Sequence, residues 1–182
     1  MASWLDEAER LDLAVYAAIA RTPTPRADRA MARLSDAANY SRLSIASAGA
    51  LALLGGTKGR RAAAMGLASV AVTATVANLV LKPLGGRRRP DRAVEEVPTA
   101  RQVRMPRSSS FPSGHTAAAF AFATGVGHVS PAAAAPLHGL AALVGYSRIH
   151  TGVHFPGDVI VGALVGVVLA EATAHAVESR LG

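Results

Sequence analysis

Hydrophobic and polar positions fall into two regimes along the chain. Beyond residue 42, long stretches hold no Asp, Glu, Lys or Arg: residues 43–57, 62–81 and 108–147. A helix at the surface of a soluble domain keeps a polar face, so these runs predict helices that cross a membrane. Residues 62–81 suffice for one span, bounded by Arg60, Arg61 and Lys82. Residues 159–177 nearly suffice, with Glu171 inside, and 43–56 begin a shorter span. The run 115–147 is too long for one helix and breaks at Ser130 and Pro131, so it reads as helices over 115–129 and 132–147. The expected fold is all-α, a polytopic bundle of about five spans. Small residues four apart, Ala141 with Gly145 and Gly162 with Gly166, would let helices approach closely in lipid.

The first 42 residues differ. Trp4, Ala8, Leu11, Val15 and Ile19 recur at helical spacing, and Ser3 with Asp6 forms an N-terminal capping pair. After the turn Thr22-Pro23-Thr24-Pro25, a second amphipathic helix carries Ala27, Ala30, Met31, Leu34 and Ala38, with Thr24 as its cap. Residues 1–42 are expected to lie along the membrane surface or to pack on the bundle. Residues 43–182 form the bundle itself, with a polar loop at 82–115. No secretory signal is expected, because acidic residues come early.

Composition narrows the classes. The 182 residues are 51% hydrophobic and 17% charged, which excludes disorder. No cysteine is present, so thiolate metal sites and cysteine nucleophiles are excluded. The net charge is +7, but aromatics are 4% and the basic residues flank membrane runs, so no nucleic-acid partner is expected.

Candidate chemistry stands at three span ends. Lys82, Arg89 and Arg148 are cations without an acid nearby in their own segments, and arginine's planar fork suits phosphate oxygens. Ser113 and Gly114 open a helix whose free N–H groups would receive an anion. His154 precedes Asp158 by four residues, and a carboxylate on one ring nitrogen leaves the other a better nucleophile. His115 can protonate a leaving oxygen.

The pattern Lys-x6-Arg-Pro (from Lys82), Pro-Ser-Gly-His (Pro112 to His115) and Ser-Arg-x5-His-x3-Asp (Ser147 to Asp158) resembles the type 2 phosphatidic acid phosphatase superfamily, the lipid phosphate phosphatases. The resemblance covers residues 82–158 with every motif position intact. It implies a metal-independent phosphatase without a cofactor. Lys82, Arg89, Arg148, Ser113 and Gly114 would hold the phosphate. His154 would form a phosphohistidine, Asp158 would orient it, and His115 would serve the leaving alcohol. The partners implied are a lipid phosphate substrate and membrane lipids.

Fifteen of the 19 basic residues fall on the motif-bearing side of a five-span bundle, so the positive-inside rule places the site on the cytoplasmic side of a bacterial inner membrane. The small size and Ala/Arg-rich composition are similar to an actinobacterial member of that superfamily proposed to dephosphorylate decaprenylphosphoryl-5-phosphoribose, a cell-wall arabinan precursor. That lipid is the leading expected substrate; undecaprenyl diphosphate, phosphatidylglycerophosphate and phosphatidic acid are alternatives. Arg101, Arg104 and Arg107 would recognise an extra phosphate or attract anionic headgroups, and His150 would touch substrate or be structural. His128, His138, His175 and Glu171 are expected to pair between helices. Rival readings are a catalytically idle lipid-binding membrane protein and a vanadium haloperoxidase, the latter normally a longer, soluble chain.

Overall fold

The computed structural model describes residues 3–181. Helix α1 (Trp4–Arg21) starts at a capping box in which Ser3 and Asp6 exchange side-chain and backbone hydrogen bonds. Helix α2 (Pro25–Ala37) follows Thr24, with proline in its first turn. Helix α3 (Arg42–Leu54) turns at Gly55 into α4 (Gly56–Val76). Helix α4 continues through a π-helical turn, Ala77–Leu81, into the short α5 (Lys82–Gly85). Three long helices complete the chain: α6 (Gly114–Val129), α7 (Pro131–His150) and α8 (Pro156–Leu181). No strand occurs among the described residues.

The segments read as spans correspond to α3, α4, α6, α7 and α8. Two continuous helices, Gly56–Gly85 and Pro156–Arg180, are both long and apolar enough to cross a bilayer. Only 28% and 22% of their apolar stretches are buried within the protein, so most of each faces outward. The core helix of a soluble protein would be mostly buried.

Helix α6 is the hub, packed on α4, α7 and α8. Its buried side is made of small residues, Ala117, Ala118, Ala121 and Ala123, with Phe122 and Val126. The Gly162/Gly166 pair is where α8 meets it. A Cβ at Gly162 would lie 2.6 Å from the Ser113 carbonyl oxygen, and one at Gly166 would overlap that of Ala117. Two helices this close seat Ser113 against the first turn of α8, where its N–H donates to the Asp158 carbonyl at 2.9 Å.

Helix α1 docks by a face its apolar stripe does not mark, whereas the stripe of α2 is partly covered, with Ala38 buried. Trp4, Leu11 and Val15 remain 76%, 65% and 39% exposed. The inward face of α1 instead presents Asp12, Tyr16 and Ala20, with Tyr16 edge-on to Phe155 at 5.4 Å. The buried residues of α2 are polar, Asp28 and Ser35, because both have partners inside. Gly86, at φ 54°, ends α5 in the left-handed conformation and turns the chain into the polar loop. The loop closes on itself where Ser110 N–H donates to the Arg87 carbonyl at 2.9 Å.

Candidate active site

The turn between α7 and α8 brings His154 and Asp158 together. His154 Nδ1 lies 3.4 Å from Asp158 Oδ2. The carboxylate sits in the first turn of α8, where the helix N-terminus favours negative charge. It also accepts from the Phe155 N–H at 2.9 Å and from the Ser110 hydroxyl. On the other side of the ring, Arg89 Nη1 lies 3.3 Å from His154 Nε2. A guanidinium only donates, so Nε2 holds its lone pair and the proton resides on Nδ1, toward Asp158. Burial pushes the His154 pKa down to about 4; the Asp158 hydrogen bond works against that shift without cancelling it. The ring is therefore neutral near pH 7, with a free nitrogen facing a cation.

Arg89 is aimed by four further contacts: Nη1 to the Val153 carbonyl (2.7 Å), Nε to the Ser108 carbonyl (3.0 Å), and Nη2 to Ser109 O and Ser108 Oγ (3.2 and 3.4 Å). Arg148, 1% exposed, spends Nη1 on the carbonyl and hydroxyl of Ser35, and its buried Nε has no partner. Its carbonyl accepts the His154 N–H, tying the guanidinium's own residue to the histidine. Lys82 follows the π-helical turn and donates to Asn78 at 2.9 Å. A Cβ at Gly114 would lie 3.3 Å from Lys82 Nζ, so the bare glycine gives that ammonium room at the start of α6. Among the described residues none of these three cations forms an ion pair. A buried, unpaired guanidinium is costly unless an anion arrives.

His115 stands one residue into α6, with Nε2 2.9 Å from Asn39 Oδ1. It borders two spaces. One is a cleft of about 170 Å³ that also contains Lys82 and Gly114. The other is a pocket of about 340 Å³ shared with Arg104 and Arg107. Ser113 is fully buried, and its hydroxyl is spent on Thr116 at 2.9 Å. The structure thus gathers Lys82, Arg89, Ser113, Gly114, His115, Arg148, His154 and Asp158 at one end of the bundle.

Several contributors carry no motif signal. Arg87 bridges Asp158 Oδ1 (3.0 Å) and Asp12 Oδ2 (2.7 Å), with its guanidinium 4.1 Å over the Phe155 ring. Asp12 also accepts the Gly157 N–H at 2.6 Å, capping α8 from α1. Ser110, Ser35 and Asn39 complete the set. Each is a common polar residue whose spacing from the motifs means nothing until the N-terminal helices are docked.

Other candidates resolve into pairs. Arg101 is fully buried and bonds Asp28, the carbonyls of Ile19, Ala20 and Thr22, and Thr24 Oγ1, so it staples the loop to α1 and α2 and does not face substrate. His150 is likewise buried, 3.2 Å from Asp28. His128 (α6) pairs with Glu171 (α8) at 2.9 Å, and His138 (α7) reaches Thr124 (α6) at 3.2 Å. His175 bonds the Glu171 carbonyl in its own helix, so it does not bridge helices by that bond. Among the described residues no group of three His, Asp or Glu converges as metal ligands.

A family model described as the PAP2 superfamily matches residues 63–181. Lipid A 1-phosphatase of Porphyromonas gingivalis is 41% identical over 68 residues, which cover 35% of this chain and 15% of that protein. The chain therefore spans only a small part of that relative. The crystal structure of Aquifex aeolicus LpxE matches with a TM-score of 0.73 at 29% identity, over 91% of this chain and 95% of that one. That of a transmembrane PAP2-type phosphatidylglycerolphosphate phosphatase from Bacillus subtilis matches with a TM-score of 0.71 at 24% identity, over 96% and 88%. The last is a likeness of fold.

Proposed function

We propose, from the premise that this integral membrane chain belongs to the PAP2 superfamily, that it is a lipid phosphate phosphatase acting through a phosphohistidine. The observation that carries this is a buried His154 whose Nε2 faces Arg89 and whose Nδ1 faces Asp158, beside a buried Arg148 without an ion pair. Such an arrangement suits a dianion.

Lys82, Arg89 and Arg148 would take the phosphate oxygens, with the Gly114 N–H at the start of α6. Ser113, expected to share that task, instead gives its N–H to the Asp158 carbonyl and its hydroxyl to Thr116, so it positions the turn rather than the phosphate. His154 Nε2 attacks phosphorus as the bond to the lipid oxygen breaks. Asp158 stabilises the positive charge that develops on the ring, and His115 gives its proton to the departing oxygen. In the second half, His115 takes a proton from water, the water oxygen bonds phosphorus, and the His154–phosphorus bond breaks. The sum is lipid phosphate plus water to lipid alcohol plus phosphate, with both histidines restored. The route needs His115 protonated once substrate is bound, a state that the charge of the incoming dianion favours, and it uses no metal.

The site lies on the cytoplasmic side of the inner membrane in this reading, with the exposed Trp4–Leu11–Val15 stripe of α1 resting in the interface. Decaprenylphosphoryl-5-phosphoribose is the first candidate substrate, on chain size and composition. The phosphatidylglycerophosphate and lipid A phosphate named for the relatives compete with it, as do undecaprenyl diphosphate and phosphatidic acid.

The test is phosphate release by detergent-purified protein from these lipids, each with a His154→Ala control. Release that disappears in the variant supports the reading, and the preferred lipid names the substrate. Equal release from the variant, or none from either protein, overturns it.

A further inference from the structure

Two spaces meet at His115, and their linings differ. The cleft of about 170 Å³ has an apolar wall of Leu43, Ala74, Ala77, Ala118 and Val144 and a polar side with Ser44, Asn78 and Lys82. The pocket of about 340 Å³ is lined by Asn39, Tyr40, Arg104, Met105, Pro106 and Arg107. If His115 protonates the leaving oxygen, the rest of the leaving alcohol begins at His115. It must continue into the spaces that open there. The start of an acyl or prenyl chain would run along the Leu43–Ala77–Val144 wall of the first space. The second space offers two guanidinia.

Those guanidinia are uncommitted. Arg104 and Arg107 are exposed and make no ion pair or side-chain hydrogen bond among the described residues, whereas Arg101, a few residues earlier, is wholly consumed by internal partners. The segment that carries them is nonetheless anchored at both ends. Arg92 Nη1 holds the Val103 carbonyl at 2.7 Å, and Arg89 holds the carbonyls of Ser108 and Ser109. The reacting phosphate already has Lys82, Arg89 and Arg148, so these two are surplus to it.

We propose that this pocket is a second anion subsite, which binds a phosphate or phosphodiester retained on the leaving alcohol. The preferred substrate class is then a lipid phosphomonoester that carries a second phosphate beyond the scissile one. The inference rests on the phosphatase reading above.

The test compares phosphatidylglycerophosphate, whose leaving alcohol keeps a phosphodiester, with phosphatidic acid, whose leaving alcohol is uncharged. In neutral detergent, the Arg104→Gln/Arg107→Gln double variant should lower the ratio of kcat/KM for the first over the second by about tenfold or more, mainly through KM. An unmoved ratio, or equal loss on both substrates, overturns the subsite. A neighbouring anionic headgroup would offer the same chemistry. Phosphatidic acid hydrolysis is therefore also followed in phosphatidylcholine vesicles with and without phosphatidylglycerol. A loss confined to the phosphatidylglycerol vesicles assigns the arginines to the membrane and also overturns the proposal. Calorimetric binding of both lipids to the His154→Ala protein, with and without the arginine substitutions, reads the subsite without turnover. If neither lipid is hydrolysed the phosphatase reading fails, and this binding comparison still decides the subsite. Lost preference for phosphatidylglycerophosphate supports it and retained preference overturns it.

Discussion

His154 shows how far one side chain's chemistry is set by its surroundings. The sequence places it four residues before Asp158, which suggests an oriented ring. It does not reveal that Arg89 would sit on the opposite nitrogen or that burial would hold the pKa near 4. The sign of the effect is definite. In the unfolded chain the ring takes a proton near the ordinary value of about 6.5; in the fold it resists until about 4. The stability contribution is therefore fully present above about pH 6.5 and is lost as pH falls from there toward 4. Histidine-labelled NMR in detergent should find the His154 ring neutral at pH 5.5, with the signal identified by its loss in His154→Ala; a midpoint near 6.5 would contradict the geometry. Arg101 is the converse case. Sequence grouped it with Arg104 and Arg107, but only packing shows that it is buried against Asp28. Arg101→Ala should lower stability by about 3 kcal/mol or more, since it strands a buried carboxylate. Thermal unfolding in detergent would show this, and a change within a few tenths of a kcal/mol would contradict it.

At the level of elements, helix positions were legible because missing charges and apolar runs act over 15 to 20 residues. Ser130 and Pro131 do break the long run, and Ser113 does precede a helix. The docking face of α1 and the buried polar residues of α2 were not legible, because they depend on partners far along the chain. The stripe Trp4, Leu11, Val15 stayed outside, while Asp12, Asp28 and Ser35 went in. Their partners Arg87, Arg101 and Arg148 explain why. Asp12 thus links α1 to Asp158 through Arg87 and caps α8 at Gly157. Asp12→Asn should lower kcat about tenfold with little change in KM, and Asp12→Glu should restore part of it. A matching rise in KM, or no recovery with Glu, would reduce Asp12 to a structural tie. The α6–α8 contact makes a different prediction. Gly166→Val forces side-chain atoms into the Ala117 carbonyl and should destabilise by about 2–3 kcal/mol, read as a lower melting temperature.

For the whole molecule, the question is which way the bundle sits. The far end holds Lys58, Arg60, Arg61 and Arg180; the other fifteen basic residues lie at the site end. A raw count overstates the bias, because six of those fifteen have internal work. Lys82, Arg89 and Arg148 are assigned to the proposed phosphate site, and Arg87, Arg92 and Arg101 bond the protein itself. Nine against four remain, still enough for the positive-inside rule to favour a cytoplasmic site. The chain contains no cysteine, so single-cysteine labelling is clean. Ala100 and Lys58 are exposed near opposite ends. With an impermeant maleimide on intact cells, Lys58→Cys should react at once and Ala100→Cys only after permeabilisation. The reverse pattern would turn the site outward. Any substrate confined to the inner leaflet would then be excluded, and the leading candidate would shift to a lipid dephosphorylated at the outer face.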